Sequence, residues 1–322
     1  MNSVQHISAP QTARFPFPIP FGWFHIAMDD DIAVGEIKTI KAFGREMVLW
    51  RAESGELTLQ HAYCPHLGAH LGVGGEVAGN ALRCPFHHWE FGGDGKVTAI
   101  PYAEKINDKA CLKTYPLQVK YGVVMAWYHP DDAPPSYELS DIPEYEDESY
   151  TKPIVTRHDI RTALQEMGEN TADGAHFVTV HGHPGAASYE NFEFDGAHIN
   201  MESTQVFPSS GGPVNGTLKT RNDGFSWAII RYQTLIEITM LTTNVPIDEN
   251  HVTQYFHVAW KNPDGDPKID RIGEAFNKEV NRQLTDDIVI WENKVYEPSP
   301  QLCDGDGPIS RYRRWASQFY AS

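Results

Sequence analysis

AYCPHLGAH, residues 62–70, sets a cysteine two residues before a histidine, and CPFHHW, residues 84–89, repeats the cysteine-proline context, with seventeen residues between His66 and Cys84. Cys64, His66, Cys84 and His87 therefore stand on two short loops, each with one thiol and one imidazole. LGVGGEVAGN and FGGDGK supply glycines for tight turns around them. Two cysteines and two histidines can hold a tetrahedral zinc, or a two-iron cluster with the cysteines on one iron and the histidines on the other; the spacing allows both. Zinc sites commonly pair like with like within a loop. Here each loop supplies one of each, the division that a cluster with two unlike irons needs.

A second group lies in LQEMGENTADGAHFVTVHGHP, residues 164–184. Read as a helix, the segment puts Asn170, Asp173 and His176 three apart on one face, with His181 following a turn and a half later. Two histidines and one carboxylate form the facial triad of non-haem Fe(II) oxygenases, which leaves positions open for dioxygen and substrate. The carboxylate is sought in FNKEVNRQLTDDIVIWENKVY, residues 276–296. As a helix this segment carries Phe276, Val280, Leu284, Ile288 and Trp291 on one stripe, and Asp287 falls on it. A carboxylate on an apolar face needs a partner or a metal, so Asp287 is the chosen ligand, with a buried salt bridge as the rival explanation. Asp286 shares a face with Glu279 and Arg282 and is expected to be solvated. His183 misses the spacing and is left out; Asn170 is expected near the iron.

These segments resemble the Rieske non-haem iron oxygenases. CPHLGAHLGVGGEVAGNALRCPFHHWEF looks like their 2Fe-2S motif, ENTADGAHFVTVH like their Asp-x-x-His-x4-His motif, and DDIVIWENK like their C-terminal iron-binding helix. The resemblance implies Cys64 and Cys84 on one cluster iron and His66 and His87 on the other. His88 stands where the family commonly has glycine, and the Cys-x-x-His spacing selects His87. It further implies mononuclear Fe(II) held by His176, His181 and Asp287, and a homotrimer in which Asp173 bridges His87 to His176 between neighbouring subunits. IPYAEK, VIWENK and CDGDGPISRYRRWASQFY resemble the 3-ketosteroid 9α-hydroxylase and cholesterol 7-desaturase branch. What that implies is the terminal oxygenase of a monooxygenase system that hydroxylates, or desaturates, a steroid-like apolar substrate with O2. A demethylase or ring-oxidising oxygenase for another apolar or aromatic compound is the alternative. A Rieske electron-transfer protein without catalysis is the rival from another class.

The elements that must position these residues are legible in part. GREMVLWRA, KVTAIPY and GVVMAWYH read as strands of a compact β domain. PDDAPPSYELSDIPEYEDESY, rich in proline and acid, marks a break, giving a Rieske domain with an N-terminal extension over 1–140 and a catalytic domain over 141–322. In the latter, GFSWAIIRYQ, LIEITMLTTNVPID and HVTQYFHVAW read as an antiparallel sheet behind the iron with helices over it, a helix-grip-like arrangement in an α+β chain. Phe225, Trp227, Tyr232, Met240 and Tyr255 are candidates for lining an apolar pocket or filling core.

Composition sets the outer limits. The chain has 322 residues, 41% hydrophobic, four cysteines and a formal charge of -17. That charge, without clustered lysine and arginine, argues against nucleic acid as a partner. Neither an export signal nor a membrane span is expected, and the cysteine usage suits a reducing cytoplasm. No dinucleotide fingerprint or P-loop occurs, so electrons from NAD(P)H are expected to arrive through a separate reductase or a ferredoxin and reductase pair.

Overall fold

Alternating apolar positions in the first third of the chain produce short strands. In chain order they are β1 (Gly22–Met28), β2 (Ile37–Ala42), β3 (Arg45–Arg51), β4 (Leu57–His61), β5 (Glu76–Ala78), β6 (Ala81–Arg83), β7 (Glu90–Gly92), β8 (Val97–Ala99), β9 (Thr114–Tyr115), β10 (Leu117–Lys120) and β11 (Val123–Tyr128). They form antiparallel sheets in the orders β1-β11-β10, β2-β3-β4-β9 and β5-β6-β7-β8. The runs read as strands coincide with β3, β8 and β11. The two Cys/His loops follow β4 and β6 and sit on a small core of Leu71, Leu82, Phe91 and Trp50. The computed structural model describes residues 14–106, 109–185, 187–207 and 212–321, so most of the expected N-terminal extension, residues 1–13, lies outside the described residues.

Residues 130–150 form no strand, yet they are a packed strap and not a loose linker. Tyr137, Leu139 and Ile142 are buried, and the Tyr145 hydroxyl donates to the His257 carbonyl at 2.5 Å. Beyond it come β12 (Ile154–Ile160), β13 (Ser188–Asp195), β14 (His198–Phe207), β15 (Val214–Asp223), β16 (Trp227–Gln233), β17 (Glu237–Asp248) and β18 (His251–Trp260). They build one seven-stranded antiparallel sheet, ordered β12-β18-β17-β16-β15-β14-β13. The three strands expected from composition are β16, β17 and β18. β13, β14 and β15 alternate apolar with charged or amide residues, as in SYENFEFD, so no apolar run distinguishes them.

The helices are α1 (Leu164–Glu169), α2 (His176–Thr179), α3 (Pro267–Trp291) and α4 (Ile309–Ala316). α3 starts at Pro267, well before Phe276, because Asp266 caps it by accepting the Lys268 N–H at 2.8 Å and proline needs no donor in the first turn. Its expected stripe faces the sheet, with Leu284 and Trp291 buried and Phe276, Val280 and Ile288 packed beside them. Gly273 allows the close approach: a Cβ there would lie 2.1 Å from the Trp260 ring. An antiparallel sheet packed against one long helix is the α+β, helix-grip-like arrangement that the sequence implied.

Residues 164–184 are not one continuous helix. α1 runs into a 3-10 turn at Asn170–Ala172, Asp173 is extended at φ -105 and ψ 97, and α2 begins afresh at His176. The Asp173 carboxylate accepts the Ala175 N–H at 3.0 Å, an Asx-type turn that competes with helix continuation. The helical-face argument for Asn170, Asp173 and His176 therefore fails, although the residues stay close together.

The seven-stranded sheet separates two environments. On one face Leu218, Ile230, Tyr232, Met240 and Phe256 turn toward α3. On the other, Trp227, Ile229 and Leu241 pack with α4 and with β1 and β11 of the N-terminal part. The two parts are also hydrogen-bonded, since Phe43 and Gly44 N–H donate to the Pro246 and Ile247 carbonyls at 2.9 and 2.8 Å. Nearby, His25 of β1 is paired through Nδ1 with Thr243 Oγ1 at 2.7 Å and stacks on Tyr255 at 3.9 Å, while His257 Nε2 reaches the same hydroxyl at 3.3 Å.

Both rings are held neutral. Burial, then the neighbouring His257 and Arg157, push His25 well below its ordinary value, and burial lowers His257 from 6.5 to about 4. The unfolded chain therefore takes up protons first on acidification. Stability from these groups is complete above pH 6.5 and drains as pH falls below it, His257 alone contributing a slope of at most about 1.4 kcal/mol per pH unit between 6.5 and about 4. Denaturant unfolding measured across that window should show the slope, and His257→Gln should make it shallower.

Candidate metal centres

The two Cys/His loops are built alike. Cys64 N–H donates to the Ala69 carbonyl and Gly68 N–H to the Cys64 carbonyl, both at 2.9 Å; Cys84 N–H donates to the Trp89 carbonyl at 2.8 Å and His88 N–H to the Cys84 carbonyl at 3.1 Å. Gly68 and His88 hold equivalent places, and both are left-handed, at φ 75 and φ 53. That backbone favours glycine, which gives a steric reason for the glycine commonly found where His88 stands. The His88 side chain is exposed, whereas His87 has a buried Nδ1 without a partner. Its ring lies 4.7 Å from that of His66, which stacks on Trp89 at 4.5 Å.

Cys64 and Cys84 are buried free thiols. Burial above all, with Cys84 adjoining, pushes the Cys64 thiol up to about 11. Two buried thiols side by side in an apolar pocket are groups that a metal centre would ionise on binding. Among the described residues, the only three His, Cys, Asp or Glu side chains whose donor atoms all lie within 4.8 Å are His176, His181 and Asp287. The Cys/His set does not converge so tightly. Its unpartnered His87 Nδ1 and paired thiols fit a larger two-iron centre better than a single tetrahedral zinc.

The second centre is assembled from both sides of the cavity. His176 opens α2, and its Nδ1–H donates to the Asp173 carbonyl at 2.5 Å, which leaves Nε2 with its lone pair available. His181 follows α2, its ring 5.1 Å from that of His176. From α3, Asp287 brings Oδ1 to 3.4 Å from His181 Nε2, and its side chain is 13% exposed. Burial holds His176 below its ordinary value against the opposing pull of Asp287 and Asp173, so the ring is neutral, as a ligand must be. Three such donors on a cavity wall suit a metal with open coordination positions.

The remaining candidates take other places. Asp173 is half-buried, with Oδ2 3.7 Å from His176 Nδ1, so the main-chain carbonyl and not the carboxylate makes the short contact. Asn170 lines the cavity and accepts from the Trp291 indole N–H at 3.4 Å. His183 is buried against Phe177 and Phe207 and stays outside the three-donor group. Asp286 pairs with Arg282 at 2.6 Å, as its helical face predicted, but it also lies 3.9 Å from His181 Nδ1 and is only part-exposed.

The cavity beside the three donors measures about 210 Å³. Met167, Leu218, Ile230, Met240, Phe256 and Leu284 make most of it apolar; of the aromatic candidates only Tyr232 lines it, Phe225 and Trp227 filling core and Tyr255 stacking on His25. Composition did not reveal the polar strip that Gln205, Asn222, Thr242 and Gln254 lay across its floor. Both amide atoms of Gln205, Oδ1 of Asn222 and Oε1 of Gln254 are buried without partners. Only strand pairing could expose this strip, because Gln205 and Asn222 sit on strands that no apolar run identifies.

Comparison with known proteins agrees with this geometry. A Rieske [2Fe-2S] domain model matches residues 22–116, and a 3-ketosteroid 9alpha-hydroxylase C-terminal domain model matches residues 126–320. Cholesterol 7-desaturase of Ciona intestinalis is 30% identical over 95% of this chain and 69% of its own length. The oxygenase component of 3-ketosteroid-9-alpha-monooxygenase from Rhodococcus rhodochrous is 29% identical over 93% of this chain and 82% of its own. Dicamba monooxygenase bound to dicamba has the same fold, with TM-score 0.74 at 16% identity over 92% of this chain and 96% of that one.

Proposed function

We propose, since the chain belongs to the Rieske non-haem iron oxygenases of the 3-ketosteroid 9α-hydroxylase type, that it is a terminal oxygenase that hydroxylates, or desaturates, a steroid- or sterol-like substrate. The observation that carries the substrate reading is the cavity: apolar walls, a strip of unpartnered amides, and three metal donors on one side. Apolar walls suit a hydrocarbon body, and buried amides without partners call for an oxygen function on it.

In this reading Cys64 and Cys84 hold one iron of a 2Fe-2S cluster, His66 and His87 the other, and His176, His181 and Asp287 hold Fe(II). When bound, these groups supply single-electron transfer and open coordination positions for dioxygen. The chain's own side chains do the positioning. The Asp173 carbonyl fixes the His176 tautomer, and Trp291 and Phe177 help wall the cavity. The Asp173 carboxylate, half-exposed, is free to accept an imidazole N–H of His87 from a neighbouring subunit.

A homotrimer with that contact is supported by exposed apolar side chains beside both centres: Tyr63, Leu67, Phe86 and Tyr102 near the loops, and Val178, Val289 and Ile290 near the three donors. Electrons are supplied by a separate reductase, or a ferredoxin and reductase pair, drawing on NAD(P)H. Among the described residues no helix is long and apolar enough to cross a membrane.

Oxygen uptake with a surrogate reductase and a panel of sterols and 3-ketosteroids should be substrate-dependent and yield an oxidised steroid. Turnover of aromatic or N-methyl compounds with none of the steroids would overturn the substrate reading. Asp287→Ala should lower iron from about three to about two per chain while the cluster's visible spectrum persists. Asp173→Asn keeps the carbonyl contact to His176, so it should retain iron and assembly yet stop multiple turnover. Mixed assemblies of Cys84→Ser and His176→Ala subunits should recover activity, since an intact cluster then adjoins an intact iron site of a neighbour; no recovery in assemblies shown to mix would place the transfer within one chain.

A further inference from the structure

His181 is the most deeply buried of the three donors, with 2% of its side chain exposed, and its two ring nitrogens face different carboxylates. Nε2 looks toward Asp287 Oδ1 at 3.4 Å. Nδ1 is buried, lacks a hydrogen-bond partner, and has Asp286 Oδ2 at 3.9 Å. A buried ring N–H without an acceptor is costly, so the nitrogen that carries the proton calls for an acceptor, and the other is left with a lone pair that can bind a metal.

The nearby carboxylate is itself held. Asp286 Oδ2 accepts from Arg282 Nη1 at 2.6 Å, and Arg282 donates on its other side to both oxygens of Glu279, at 2.6 and 2.9 Å. All three residues lie on one exposed row of α3, three and four residues apart. Oδ2 retains a second lone pair, and a shift of about 1 Å would bring it into hydrogen-bond range of Nδ1. Consecutive aspartates on one helix turn thus reach one imidazole from its two ends.

We propose that Asp286 is a positioning residue for the metal centre: it accepts the Nδ1–H of His181, so that Nε2 presents its lone pair beside Asp287, and Glu279 and Arg282 keep Asp286 in place. The inference deepens the metal-site reading given above and rests on it. An expectation that Asp286 is simply solvated does not account for the unpartnered nitrogen it faces. A hydrogen-bond acceptor behind a metal-bound imidazole fixes the ring's tautomer and orientation, and its loss commonly weakens metal binding.

The test reads metal affinity and not turnover. The protein, with its cluster retained and its mononuclear iron removed by a mild chelator, is titrated with Fe(II) against a competing chelator. Asp286→Ala should bind Fe(II) about 10–100-fold more weakly than the unaltered protein, with no change in the cluster spectrum. Asp286→Asn should recover most of that loss, because the amide oxygen still accepts a hydrogen bond. An Asp286→Ala affinity within about twofold of the unaltered protein would overturn the proposal. So would equal weakening by alanine and asparagine, which would assign the effect to charge and not to the hydrogen bond. Asp287→Ala, run alongside, separates the two levels: if it binds Fe(II) like the unaltered protein, the metal-site reading itself falls.

Discussion

Asp287 imposes the constraint on which the catalytic half is organised. A carboxylate on the sheet-facing stripe of a helix would strongly destabilise that packing unless positive charge or hydrogen bonds met it there. The fold sets two imidazoles from a different stretch of chain beside it, a donor set that a metal cation would complete and neutralise. That demands a helix long enough to span the sheet, anchored by the Asp266 cap and let close by Gly273. It also demands that the helix break between Ala172 and His176, so that His176 and His181 can both point toward α3. The Asx turn at Asp173 does this and supplies the carbonyl that sets the His176 tautomer.

The sheet converts that local arrangement into a division of labour. Strand periodicity sends Tyr232, Met240, Thr242 and Phe256 to the cavity and Trp227, Leu241, Thr243 and His257 to the opposite side. The second face is covered by α4 and by β1 and β11 of the N-terminal part. Register therefore matters to both faces at once: a slip of one residue in β17 would exchange cavity residues for contact residues. Backbone bonds from Phe43 and Gly44 to β17 and the His25–Thr243–His257 cluster oppose such slippage.

The Cys/His loops follow a different logic, local and nearly independent of the rest. Each is a hairpin closed by its cysteine amide, with a left-handed residue at the equivalent place. One histidine stands two residues after its cysteine and the other three, and the equivalent backbones hold the two rings 4.7 Å apart. His88 shows that the backbone requirement is independent of the donor: it has the strained conformation and yet stays exposed.

Local chemistry was readable along the chain. The cysteine-proline repeats, the apolar stripe of α3 with its aspartate, and the three aromatic, β-branched strands are properties of short segments, set by spacing and propensity. The broken helix at Asp173 was missed because a side chain's hydrogen bond to its own backbone competes closely with a helical turn, and periodicity does not record it. Four strands of the catalytic sheet escaped notice because half-buried strands with polar faces carry no apolar run. The amide strip of Gln205, Asn222, Thr242 and Gln254, the convergence of His176 and His181 with Asp287, and the approach of Asp286 to His181 Nδ1 were decided only by tertiary structure. These depend on strand register and on how α3 docks, and both are fixed by contacts between segments far apart in sequence, whose energies no single segment contains.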